Sequence, residues 1–166
     1  MVVAAVVVLL VVVYAAWWSR PGALGGWGSE VWVPVDVDET ANVGLQLGFA
    51  DDERLHVHEI TPVVVANTAD ATIEVVVCRS RVGDGLGASR GSLEPDCVSV
   101  DPVTPDVLSH RGRSVVVRIT PRKEGVVRID GADVRYTRGA SHLWQTGTEQ
   151  AGVGIVIRTE RRSPAT

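Results

Sequence analysis

SVVVRITPRKEGVVRIDGADVRYTRG, residues 114–139, is the stretch from which the architecture follows. Val115, Val117 and Ile119 stand two apart, as do Val127 and Ile129 and then Val134 and Tyr136, with Arg118, Arg128 and Arg135 in between. Successive side chains of an extended chain point to opposite faces, so this period of two puts the apolar set on one sheet face and the arginines on the other. Pro121-Arg122-Lys123-Glu124-Gly125 breaks the pattern and predicts a turn, and Asp130-Gly131 and Arg138-Gly139 predict two more.

The same period extends in both directions. Val43, Leu45, Leu47 and Phe49 alternate with Gly44, Gln46 and Gly48, and Ile73, Val75, Val77 and Val153, Ile155, Ile157 repeat it. Thr61-Pro62 and Asn67-Thr68-Ala69-Asp70 read as further turns. Beyond Trp18 no ten-residue stretch keeps an apolar period of 3.6, so the crossover helices of a parallel sheet are missing. The expectation is an all-β fold, an antiparallel β-sandwich of seven to nine strands over residues 31–158. Pro34, in VWVPV (31–35), lacks the N–H that an interior strand needs and predicts an edge position or a place in the tether's docking segment.

Residues 1–18, MVVAAVVVLLVVVYAAWW, carry no charge, Gly or Pro. As a helix they rise about 27 Å, near the thickness of a bilayer's hydrocarbon core, and predict one N-terminal transmembrane helix. Tyr14, Trp17 and Trp18 suit the membrane interface, and Ser19, Arg20 and Pro21 end the apolar run. Basic residues are scarce downstream until Arg54, which predicts a single-pass protein of the cell membrane with its C-terminal domain outside the cytoplasm. The competing reading is a signal peptide cleaved after Val13-Tyr14-Ala15. Residues 19–30 read as a Gly-rich tether and 159–166 as a flexible tail.

The formal net charge of −4 excludes an electrostatic footprint for nucleic acid. Lys123 is the only Lys among otherwise Arg-based cations, and Val far outnumbers Ile, as GC-rich codons favour. Cys78 and Cys97 are the only cysteines, and outside the cytoplasm two such residues are expected to pair, a closure worth roughly 3 kcal/mol for a loop of this length. The bond would pin a Gly-rich loop and leave Arg79, Arg81, Asp84, Arg90 and Glu94 on display. With Trp144 they form the candidate partner surface, because loops on rigid sheets carry recognition and Trp is enriched in hot spots.

Several chemistries are suggested by motif and rejected by context. Gly87-Ala88-Ser89-Arg90-Gly91 fits the pattern of a hydrolase nucleophile elbow, but no helix follows Ser89 to supply an oxyanion hole, and the downstream His110 and His142 are weak candidates for its base. Gly83 to Ala88 fits a dinucleotide fingerprint and lacks the same helix. Asp36 with Asp38 on one strand face, and the run Asp51-Asp52-Glu53, match no calcium loop. His56 and His58 share a strand face and open one alternative, an extracytoplasmic copper or zinc carrier. A blue-copper site, however, wants Cys closely followed by His, whereas His110 lies well beyond Cys97 and Met1 is the only Met. Trp27, Trp32 and Trp144 read as core or rim residues, and the competing reading for Trp144 is packing over the sandwich end. No cofactor and no catalytic residue is expected.

The order LHVHEITPVVVAN, ATIEVVVC, then residues 114–139 and a closing GVGIVIRTE resembles the strand succession of bacterial immunoglobulin-like domains. A strand ending in Pro, a polar turn and a Gly opening the next strand is similar to a passage in those domains. The segment Gly125–Tyr136, G-V-x-R-x-x-G-x-x-V-x-Y after a cysteine-closed loop, resembles uncharacterised membrane-anchored proteins of high-GC Gram-positive bacteria. The resemblance spans residues 55–158 and implies an immunoglobulin-like sandwich, without the cross-sheet Cys pair and Trp of antibody domains. It implies a fold and no activity, because sandwich domains host many unrelated functions; the missing catalytic constellation, taken with that fold, leads to the expectation of a non-catalytic binding or envelope-interaction module with a protein or envelope partner.

Overall fold

The computed structural model describes residues 2–48, 54–81, 86–103, 106–109 and 112–159. Phe49, the Asp51–Glu53 run, Gly83, Asp84, Gly85, His110 and the tail lie outside the described residues.

The chain forms a helix followed by ten strands: α1 (Val2–Trp18), β1 (Gly26–Val35), β2 (Ala41–Leu45), β3 (Arg54–Asn67), β4 (Thr72–Ser80), β5 (Ala88–Arg90), β6 (Cys97–Pro102), β7 (Asp106–Ser109), β8 (Arg113–Thr120), β9 (Gly125–Arg138) and β10 (Thr146–Thr159). They make two five-stranded sheets, ordered β1-β10-β9-β3-β7 and β5-β2-β8-β4-β6. Val43, Leu45, Val115, Val117 and Ile119 of the second sheet share one buried core with Leu55, Val127, Ile129, Val134, Tyr136, Ile155 and Ile157 of the first. The period of two therefore faces a common core from both sides. Arg118 points outward and pairs across strands with Glu74 at 3.3 Å.

The strand count exceeds the expected seven to nine because β5 and β7 are too short to show a period. The sandwich is not wholly antiparallel: β1 runs parallel to β10, from Glu30↔Gly154 to Val35↔Thr159. Pro34 sits in this strand at the sheet edge, where a residue without an N–H is tolerated. The strand at Ala41 ends at Leu45, although Leu47 is still buried.

Two expected turns are strand interiors. Thr61-Pro62 lies within β3, where pairing to β9 slips between Pro62 and Val64, so the proline is absorbed by a bulge. Asp130-Gly131 lies within β9. Gly131, at φ 71°, comes so close to Ala151 that a Cβ would meet its carbonyl oxygen at 2.6 Å, opposite a register shift in β10. Glycine here makes a bulge that lets two 14-residue strands continue. The turns at 67–70 and 121–125 form as expected. Asn67 closes the first by accepting from the Ala71 N–H and donating to the Ala71 carbonyl, at 2.8 and 3.0 Å.

Among the described residues no helix is long and apolar enough to cross a membrane. The expected transmembrane segment is a helix of 17 residues with every side chain from Val3 to Trp17 exposed. The segment read as a tether is already strand from Gly26.

Candidate functional site

Among the described residues, a connected set of side-chain hydrogen bonds lies where α1 meets the sandwich. Tyr136, fully buried on β9, donates its hydroxyl proton to Glu149 Oε2 at 2.7 Å and accepts the Ala23 N–H at 2.9 Å. Glu149, on β10, accepts the Leu24 N–H at 3.1 Å through the same oxygen and the Gly22 N–H through Oε1. Three successive backbone donors are thus gripped by two side chains. Arg138 donates to the Pro21 carbonyl at 2.6 Å and to His142 Nε2 at 2.9 Å. The buried Gln145 donates Nε2–H to the Trp17 carbonyl at 3.2 Å, at the end of the helix, where the Arg20 N–H also reaches that oxygen at 3.3 Å. Gly147 keeps the passage open, since a Cβ there would meet Pro21 Cδ at 2.5 Å and the Ser19 carbonyl at 2.8 Å.

These side chains come together because β9 and β10 are adjacent antiparallel strands joined by a short 3₁₀ turn, Ala140–His142, and the turn that follows it. Burial foremost, and then the hydrogen bond to Glu149, push the Tyr136 hydroxyl well above its ordinary 10.0, so the phenol stays protonated as a donor. Nothing in the local pattern of residues 19–30 marks them for this grip. The available signal was Tyr136 itself, a buried-strand residue with a hydroxyl that needs a partner.

Cys78 and Cys97 are bonded, with Cα atoms 5.5 Å apart, tying β4 to the edge strand β6. The disulfide lies in a second buried cluster with Val76, Leu93 and Val116, against which Leu86 packs. The loop after β4 is therefore held by two leucines as well as by the bond. It folds back over the outer face of the second sheet: Gly44 N–H donates to the Gly87 carbonyl at 2.8 Å, and Asn42 Nδ2–H to the Gly91 carbonyl at 3.0 Å.

The candidate partner residues are spread over this frame. Arg79, Arg81 and Glu94 are exposed near the disulfide. Arg90, also exposed, lies on the edge strand β5 of the same sheet, with β2 and β8 between it and β4. Trp144 belongs to the β9–β10 connection of the other sheet, its ring 6.2 Å from that of His56. Trp32 is exposed on β1.

The residues singled out for chemistry are placed as follows. Ser89 lies on β5 opposite Asn42, and its Oγ has no hydrogen-bond partner, so no nucleophile–base pair is formed. His58 sits at a register shift in β3 and bonds Thr137 Oγ1 at 2.8 Å, while His56 faces Trp144. Both sulfurs are in the disulfide, which removes thiolate ligands. No group of three metal-ligating side chains occurs among the described residues. Asp36 and Asp38 do not share a strand face: they lie in the turn after β1, where Asp38 N–H donates to the Pro121 carbonyl at 2.8 Å.

No family model matches the sequence. No curated protein matches it either. Among solved structures, the chain is similar to the ASH / PapD-like domain of human CEP192 (PapD-like domain 7). That likeness has 13% identity and a TM-score of 0.45, covering 85% of this chain and 87% of that one.

Proposed function

We propose that the protein is a non-catalytic, immunoglobulin-like binding module, anchored by α1 in the cell membrane and displayed outside the cytoplasm. The observation that carries this reading is the surface of α1. Its side chains from Val3 to Trp17 are exposed all around, uncovered by the described residues of the sandwich. A helix apolar on every side needs an apolar phase to accept it. At 1.5 Å per residue it is about 26 Å long, a few ångströms short of a ~30 Å hydrocarbon core. Local thinning and interfacial aromatic side chains accommodate such a deficit, and Tyr14, Trp17 and Trp18 stand at the end facing the sandwich. The buried disulfide supports an oxidising compartment for the domain. The partner surface is the exposed set around it, Arg79, Arg81 and Glu94, on a loop fixed to a rigid sheet.

Fractionation of cells producing the full chain tests the reading. The protein is expected in the membrane fraction, released by detergent and not by high salt, with its sandwich digested by protease added to intact spheroplasts. Recovery of the full-length native chain in the soluble cell interior, or two reactive thiols in the denatured, unreduced protein, would overturn it.

A further inference from the structure

The turn between β9 and β10 holds an apolar pair in a conformation that L-residues avoid. Leu143 and Trp144 have φ of 53° and 58°, and both are exposed, at 54% and 56%. Left-handed backbone costs a non-glycine residue on the order of 1 kcal/mol or more, and two in succession persist only where the surroundings enforce them. The enforcement is visible. Gln145, the next residue, is buried and tied to the last turn of α1 through the Trp17 carbonyl, and the Trp144 N–H reaches back to the Gly139 carbonyl at 3.4 Å. The turn that presents Leu143 and Trp144 is therefore fastened to the end of the helix.

We infer that Leu143 and Trp144 form a second membrane contact, a foot that rests in the headgroup layer into which α1 is inserted. The inference builds on the anchor proposed above and adds a surface of the sandwich to it. Three observations select lipid as the occupant. Gln145, the residue after Trp144, bonds the Trp17 carbonyl at the end of α1. The grip of Tyr136, Glu149 and Arg138 on residues 21–24 leaves little slack between helix and domain. A helix a few ångströms short draws whatever is fastened to its end toward the bilayer. Trp and Leu at headgroup depth gain from burying apolar surface while the indole N–H remains hydrated. Arg20, exposed two residues past α1, is placed for the lipid phosphates.

Spin labels on single added cysteines test this in the full-length chain, whose own cysteines are bonded to each other. The positions are Leu143→Cys, Trp144→Cys, Leu9→Cys in α1 and Val98→Cys on β6, and the protein is placed in vesicles of phosphatidylethanolamine and phosphatidylglycerol. Labels at 143 and 144 are expected to favour collision with oxygen over an aqueous nickel chelate several-fold more than the label at 98. The Leu143→Cys variant retains Trp144, so loss of the indole does not confound it. Labels at 143 and 144 as water-exposed as the one at 98 overturn the inference and leave Trp144 to a protein partner. The label at position 9 decides the anchor separately: accessibility to the nickel chelate there would sink the anchor itself.

Discussion

Tyr136 shows how one hydroxyl joins packing to architecture. Its ring completes the alternation of β9 and lies in the core, yet its oxygen serves the backbone of a segment 113 residues away. The native state holds the phenolic proton more tightly than the unfolded chain does, because its affinity for that proton is raised by burial and by Glu149. The sign follows: this contribution to stability is fully present below about pH 10 and is lost as the pH climbs past that value, where only the unfolded chain releases the proton. Tyr136→Phe should cost about 1–2 kcal/mol near neutral pH by removing two hydrogen bonds. Urea titrations across the alkaline range should find the wild-type advantage shrinking above about pH 10. A gap that stays constant with pH would contradict the account.

Among the elements, the return of the loop over the second sheet depends on a close backbone approach. A Cβ on Gly44 would lie 1.8 Å from the Leu86 carbonyl oxygen, and that obstacle is main chain, unable to rotate away. Gly44→Ala should therefore pull the loop from β2, expose Leu86 and Leu93, and cost about 1–3 kcal/mol, as overpacking does. Gly87→Ala is the control, since nothing lies within 4 Å of a Cβ there. Denaturant midpoints and amide exchange of residues 86–97 would measure both. Equal effects from the two substitutions would show that the approach does not matter. The sequence pattern marks Gly44 only as the polar-side partner of Val43 and Leu45, because alternation says which face a residue takes and nothing about what covers it.

For the molecule as a whole, the question is whether helix and sandwich move as one body. With the N–H groups of Gly22, Ala23 and Leu24 all bonded to Tyr136 or Glu149, a protease that needs an extended, free strand has poor access to them. Glu149→Ala should release that segment, and elastase should cut at Ala23 at least several-fold faster than in the wild type, with the sandwich itself intact. Unchanged cleavage would mean that the grip contributes no rigidity. A fixed domain would offer its loops to a partner at a set height and angle, whereas a loose one would sweep a volume.

What the sequence determined by itself is what local physics encodes. Alternating side chains specify strands, an uncharged apolar run specifies a helix with a greasy surface, and two cysteines leave one intramolecular pairing. The missing N–H of Pro34 kept its segment out of a sheet interior, leaving an edge or the tether. The tertiary structure alone decided three things. Gly131 and Pro62 became bulges because neighbouring strands offered continued pairing that a turn would forfeit. The first strand joined the last in parallel because pairing across 120 or more residues leaves no local trace. A Gly-rich stretch that reads as slack became a fastened joint, because its donors found Tyr136 and Glu149, and no window along the chain contains both sides of that bond.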